Sequence, residues 1–310
     1  MMSRYKSNGK LLLTGEYLVL QGAIALALPL KIGQSLDVNV LATNNNIIHW
    51  DAYSPKGLWF SSMLNKHDFS VRGSDNVEMA FMLSKIFKAV KKQNDCILNE
   101  RGDYDFVTRL DFEPEWGLGS SSTLITNMAM WADIDPYKLL RDTFGGSGYD
   151  IACAKASKPI LYYLESGEAH YREIDFNPPF ADNLYFVYRG HKQKTSVEVS
   201  YFKEKLMSND FGDDIYTVSE LSLSLPNICE LKDFCSFMDI HEAIMSNCLE
   251  RPAIKTLFPD FDGSLKSLGA WGGDFFLAAT ELSHDEVFSY FHKKGFDVIL
   301  KYNDVVRNNV

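Results

Sequence analysis

Apolar and polar positions alternate with a strand-like period through the first third of the chain, and glycines punctuate the runs. Residues 10–14, 17–20, 23–28 and 35–40 are predicted strands, separated by Gly15, Gly22 and Gly33. Residues 47–53 and 57–64 predict a hairpin. From Asp75 the spacing changes. Val77, Ala80, Phe81, Leu83, Ile86, Phe87 and Val90 recur at helical intervals over residues 75–92, with Asp75 and Glu78 placed to form a capping box. Residues 104–112 alternate again, with Tyr104, Phe106, Leu110 and Phe112 on one face. An apolar helix follows over residues 124–131. Asp135-Pro136 starts a short helix reaching about Phe144. A loop carrying Asp150 leads into a hairpin over residues 160–164 and 170–174.

Pro178-Pro179 interrupts both periodicities, which places a domain boundary there: residues 1–177 and 178–310. The second half predicts a strand at 183–188 and helices at 196–207, 213–225 and 231–250. A glycine-bearing strand pair follows at 264–268 and 274–279, then a helix at 284–294 and a strand at 297–302. The order of elements indicates α+β architecture in two domains.

The 310 residues carry a formal net charge of −10, with a pI near 5.2. Lys and Arg form no basic face, so neither nucleic acid nor a membrane surface is an expected partner. Five cysteines without a Cys-x-x-Cys pair fit a reducing cytoplasm. Seven scattered histidines offer no zinc spacing. Aromatics at 13% suit a homodimer interface as well as a core.

The candidate chemistry gathers between Pro114 and Ile151. Gly117, Leu118, Gly119, Ser120, Ser121 and Ser122 place two glycines and a run of hydroxyls directly before a helix. Orphan amides and the helix dipole there favour a phosphate. A second glycine cluster, with Ser147 and Gly148, delivers Asp150, a carboxylate able to accept a hydroxyl proton. Glu16 stands in an otherwise apolar segment, where a carboxylate needs a partner or a task. Read alone, Lys10 would be a solvated strand-edge residue and Asp150 a turn former.

Four stretches in one order resemble the GHMP kinase superfamily, named for galactokinase, homoserine kinase, mevalonate kinase and phosphomevalonate kinase. Gly9-Lys10 through Gly22-Ala23, with Glu16 and Tyr17, resembles the N-terminal motif of the mevalonate and phosphomevalonate branch. Gly117–Ser122 resembles the phosphate loop. Gly146-Ser147-Gly148-Tyr149-Asp150-Ile151-Ala152 resembles the segment supplying the catalytic aspartate. Lys266 through Asp274, with Gly269, Ala270, Gly272 and Gly273, resembles the C-terminal glycine motif. A weaker match, Lys194-Thr195-Ser196, resembles a substrate-side turn.

The resemblance implies an N-terminal domain like domain 2 of ribosomal protein S5 and a ferredoxin-like C-terminal domain, with ATP and a small-molecule acceptor bound between them. It assigns Asp150 and Lys10 to catalysis, residues 117–122 to the ATP phosphates and the Ser121 hydroxyl to Mg2+. Glu16, Tyr17, Ser147, Gly148, Lys194 and Thr195 fall on the acceptor side. The implied reaction is phosphoryl transfer from ATP to mevalonate, phosphomevalonate or a similar acceptor. The alternatives are a diphosphomevalonate decarboxylase-like reaction and a nucleotide-binding paralogue without turnover. Departures from the pattern include Trp271 in place of a glycine and the lack of any glutamate between Glu115 and Glu165, where a second magnesium ligand is expected.

Overall fold

The computed structural model describes residues 2–190, 210–269, 271 and 273–308. The helix expected at 196–207, together with Lys194, Thr195, Ala270 and Gly272, lies outside the described residues. The chain divides into two compact units interleaved in sequence. Unit 1 is Met1–Gly9, Ile32–Pro114 and Leu118–Lys155; unit 2 is Lys10–Lys31, Glu115–Gly117 and Ala156–Val310. The boundary expected at Pro178-Pro179 falls inside unit 2.

In unit 1 the hydrophobic alternation becomes a sheet. The strands β3 (Ile47–Ser54), β4 (Gly57–Asn65), β5 (Val71–Ser74) and β6 (Asp103–Leu110) join the second half of β2 (Ala25–Leu41) in the order β5-β4-β3-β6-β2. All pairs are antiparallel except β3 with β6, and that parallel pair needs a crossover connection. Helix α1 (Val77–Gln93) lies on that connection. Ile48, Trp50 and Ala52 alternate inward along β3, and Trp50 stacks on Phe106 while Phe87 of α1 meets both edge-on. Helices α2 (Ser120–Ala132) and α3 (Pro136–Thr143) complete this core.

In unit 2 the strands β9 (Leu184–Tyr188), β10 (Ser264–Ser267), β11 (Phe275–Ala279) and β12 (Ile299–Lys301) form an antiparallel sheet ordered β10-β11-β9-β12. Helices α5 (Gly212–Ser224) and α6 (Leu231–Leu249) lie between β9 and β10 in sequence, and α7 (His284–Lys293) lies between β11 and β12. This is the ferredoxin-like order that the family resemblance implies. A phenylalanine cluster of Phe258, Phe261, Phe276 and Phe291 fills the interior. The first half of β2 also belongs to this unit and pairs with β7 (Ile160–Glu165), which forms a hairpin with β8 (Glu168–Glu173).

Several local expectations change. The polar start of the chain is a strand, β1 (Ser3–Leu12), because alternate positions are still buried from Ser7 onward. Residues 17–20 are not a strand but enter a single 3-10 turn at Leu18–Gln21, after Tyr17 adopts φ 59°. The two strands expected at 23–28 and 35–40 are one: Gly33 does not break β2, since a Cβ there would lie 2.0 Å from the Ser7 carbonyl oxygen and the glycine admits β1. Helix α1 is capped by Asn76, whose side chain accepts the Met79 amide, while the Asp75 carboxylate accepts the Ser61 amide of β4 instead. The last strand stops at Lys301 and a short helix, α8 (Tyr302–Val305), follows. Asp150 lies not in a loop but in the first turn of α4 (Tyr149–Lys155).

Candidate active site

Helix α2 begins at Gly119, which is left-handed at φ 100°, and no side chain caps its first turn. Uncapped amides and the positive end of the macrodipole remain available to an anion. The hydroxyls divide their work. Ser121 is exposed and Ser120 half-buried, whereas Ser122 is buried and donates to the Gly119 carbonyl at 2.9 Å. Behind them a polar seam fastens the helix inside unit 1. The Thr123 hydroxyl lies within hydrogen-bond distance of three acceptors, Gln34 Oε1 and the Gly119 and Ser120 carbonyls, for its one proton; Asn127 Nδ2 donates to the Gln34 carbonyl, and the Ser7 hydroxyl donates to the Thr123 carbonyl. Helix α4 packs against α2 in the same unit, so Asp150 rides on the element beside α2. The Ile151 amide donates to Asp150 Oδ1 at 3.1 Å. Ser147 and Gly148 form the approach to α4, half-buried and buried respectively.

Gly117, at the opening of the glycine turn, belongs to unit 2 and has φ 71°. A Cβ there would lie 2.3 Å from the carboxylate carbon of Asp274, so only glycine fits. Asp274 follows the C-terminal glycine segment, is itself left-handed at φ 55°, and accepts the Arg189 amide at its carbonyl. Trp116 is held by the same unit: its indole packs on Tyr188 and Phe275, and the Tyr188 hydroxyl donates to the Glu115 carbonyl. Lys10, half-buried in β1, also falls in unit 2.

Glu16 and Tyr17 lie in the interior of unit 2. Glu16 is 1% exposed, and Oε1 accepts Lys266 Nζ, itself fully buried, at 2.5 Å. His241 of α6 accepts the Gly15 amide at Nε2, so the neutral ring carries its proton on Nδ1 and the 3.5 Å approach of Nε2 to Glu16 is not an ion pair. Burial pushes the Glu16 carboxyl up to about 7 against the opposing pull of Lys266. Burial, reinforced by the Lys266 charge, holds His241 well below the ordinary imidazole value. Glu242, also raised by burial, accepts the Ile254 amide and both the amide and hydroxyl of Ser267. The Tyr17 hydroxyl accepts the Trp271 amide at 3.1 Å, and Trp271 is 2% exposed among Tyr17, Leu18, Met245 and Leu249. Of the C-terminal glycines, Gly269 is half-buried at φ 61° and Gly273 is buried.

No protein-family model and no curated protein sequence matches the chain. Solved structures do. The mevalonate kinase of L. major in complex with R-mevalonate aligns with a TM-score of 0.71 at 15% identity, over 99% of this chain and 97% of that one. The Methanococcus jannaschii mevalonate kinase aligns with a TM-score of 0.71 at 15% identity over 100% and 98%. The Streptococcus pneumoniae phosphomevalonate kinase, in complex with phosphomevalonate and AMPPNP, aligns with a TM-score of 0.65 at 16% identity over 97% and 99%. The chain has the GHMP kinase fold.

Within that fold, sequence reasoning singled out the start of α2 and Asp150, which lie together in unit 1, whereas Gly117 at the opening of the turn falls in unit 2. It missed His241, Glu242 and the pairing of Lys266 with Glu16. Glu16 was visible as an odd carboxylate, but its partner lies 250 positions away. Asp274 was read only as the end of the C-terminal glycine motif, although its carboxylate is what a Cβ at Gly117 would meet. Among the described residues no helix of this GHMP kinase fold is long and apolar enough to cross a membrane.

Proposed function

We propose that this chain is an ATP- and magnesium-dependent kinase of the reducing cytoplasm that phosphorylates a small-molecule acceptor of the mevalonate or phosphomevalonate type. The observation that carries the reading is the uncapped, glycine-led start of α2 with Asp150 on the helix packed beside it. The amides of the first turn and the Ser120 hydroxyl would hold the ATP phosphates, and the exposed Ser121 hydroxyl would serve as a magnesium ligand. The donor set fits a cation that keeps several waters and takes few protein ligands. Bound ATP and magnesium supply the phosphoryl group and neutralise its charge.

The chain supplies position and proton transfer. Asp150 accepts the acceptor hydroxyl proton as that oxygen attacks the γ-phosphorus, and Lys10 is the cation assigned to the transferred group. The acids other than Asp150 between Glu115 and Glu165 support a lean metal site. Asp133 caps the far end of α2, Asp135 caps α3 and Asp142 lies on α3, so none of the three sits at the phosphate end of α2.

The test is ADP release with ATP and magnesium across mevalonate, phosphomevalonate, diphosphomevalonate, homoserine and galactose, with carbon dioxide followed in parallel. Turnover with one acceptor, falling by roughly 10²-fold or more in Asp150→Asn at unchanged ADP affinity, supports the reading. Carbon dioxide release would move it to the decarboxylase-like reaction. Nucleotide binding without turnover on any acceptor would make the chain a binding paralogue.

A further inference from the structure

The strands at the ends of the ladders differ in what they leave open. β5 is four residues long with a register shift against β4, β12 is three residues long, and every position of β10 is buried. β8 runs for six residues, none of them buried, and among the described residues it pairs with β7 alone. An exposed edge strand of that length is a template for a further strand.

The hairpin fixes which backbone groups of β8 are open. Ser166 and Gly167, at φ 52° and 81°, form a two-residue turn, which makes Glu165 and Glu168 a hydrogen-bonded pair. At the other end the Ile174 amide donates to the Pro159 carbonyl at 2.8 Å. Both ends give the same phase. Glu168, His170 and Arg172 turn their amides and carbonyls to β7, and Ala169, Tyr171 and Glu173 turn theirs outward.

We propose that the outward edge of β8 joins two copies of this chain, paired antiparallel about a two-fold axis at His170. Outward groups must oppose outward groups, so a register centred between two residues, such as one setting Glu168 against Glu173, is excluded. Centring on Ala169 runs the pairing into the turn. Centring on Tyr171 sets each His170 beside the second copy's Arg172, and centring on Arg172 sets two guanidinium groups face to face. Centring on His170 sets Glu168 against the second copy's Arg172 and Ala169 against the second copy's Tyr171, each twice by symmetry. Opposite charges then meet on one face and a small side chain meets a large one on the other. Charges on an edge strand block pairing when like meets like, but here their signs are opposite about His170. The imidazole is held back over β7: it stacks on Tyr163 with ring centroids 5.3 Å apart, and its Nε2 lies 3.9 Å from Glu165. Ala169 and Tyr171 exchange the backbone hydrogen bonds across the axis. The contact lies wholly on unit 2 and is independent of the kinase reading. A six-residue strand pair is small beside the roughly 1,200–2,000 Å² of a stable complex, so association depends on concentration.

The experiment is sedimentation equilibrium of the full chain over a concentration series from about 1 to 500 µM, where an association of this size is read. The expected mass rises from 35.2 kDa towards twice that value. Arg172→Glu and Glu168→Arg should each weaken dimerisation about tenfold or more, and the two changes together should restore it. Ala169→Pro removes an outward amide and none that β7 uses, and should also weaken it about tenfold or more. Far-ultraviolet circular dichroism and thermal midpoints at the parent's values establish that each variant is folded. A chain that stays at 35.2 kDa throughout overturns the proposal. So does a dimer indifferent to the charge reversals or to Ala169→Pro, which would be joined through another face, and so does a double variant that fails to restore pairing.

Discussion

Glu16 and His241 titrate in opposite senses, and the signs give a measurable pH dependence. The Glu16 carboxyl holds its proton more tightly when folded, at about 7 against an ordinary 4.5, so its contribution is complete below 4.5 and is lost as pH rises towards 7. His241 is held neutral, so its contribution is complete above 6.5 and is lost as pH falls. In the parent the two slopes oppose. Urea unfolding of parent and Glu16→Gln between pH 4.5 and 7.5 should show a stability difference most favourable to the parent at the acid end and shrinking towards neutrality. A difference flat with pH would remove the assigned shift. Asp103 behaves as an ordinary depressed carboxylate: burial would raise it, but the Ile47 and Asn45 amides and the Asn45 side chain outweigh burial and hold it at about 2. Its contribution is present above 3.8 and fades as pH falls towards 2. At Gly117, replacement by Ala meets both the Asp274 carboxylate and a left-handed φ, so ADP affinity should fall about tenfold, converting to ~1.4 kcal/mol. Gly57→Ala is the control, since it is also at positive φ but has nothing within 4 Å.

At the scale of elements, α2 is fixed from behind by Thr123, whose hydroxyl reaches Gln34 Oε1, Gly119 and Ser120. Thr123→Val keeps the shape and removes those bonds, leaving Gln34 Oε1 short of a donor. A loss of roughly 1–3 kcal/mol is expected in urea unfolding, with weaker ADP binding because the turn before the helix loses its anchor. An unchanged ADP affinity would show that Gly119 holds its conformation unaided. Legibility from sequence follows the same physics. Helix α1 was readable because it buries one face at helical spacing, α2 from its apolar run, α3 from the Asp135-Pro136 start, and β3 because Ile48, Trp50 and Ala52 alternate. Helix α4 was not: seven residues after three glycines carry too little periodicity to outweigh a turn-like composition. The 3-10 turn at Leu18–Gln21 was hidden by an apolar run that reads equally well as a strand. The chemistry of the Gly117–Ser122 turn was legible because its residues are consecutive. The Glu16, Lys266 and His241 cluster was not, because its members come from three distant segments and only the fold assembles them.

At the scale of the molecule, unit 2 is not a continuous half of the chain. Its first segment, Lys10–Lys31, is joined to the rest by specific bonds. The Thr14 and Ser222 hydroxyls meet at 2.7 Å, the Ile24 amide donates to the Ser219 hydroxyl, and the Arg307 amide donates to the Pro29 carbonyl. Glu16 is the buried partner of Lys266, and Tyr17 accepts the Trp271 amide. A fragment cut at the diproline, residues 178–310, would retain the four-stranded sheet but leave Lys266 buried without its carboxylate. Removing one member of a buried pair costs roughly 3–5 kcal/mol. That is a large part of the ~5–15 kcal/mol that holds a typical domain folded. The fragment should therefore lack the near-ultraviolet circular dichroism of packed aromatics while keeping helical far-ultraviolet signal. Lys266→Met within the fragment removes the orphaned cation and should recover part of the tertiary signal, whereas the same substitution in the full chain strands Glu16 and should destabilise it. If the unaltered fragment unfolds cooperatively with full aromatic signal, the diproline is a true domain boundary and the first segment is not needed to fold unit 2.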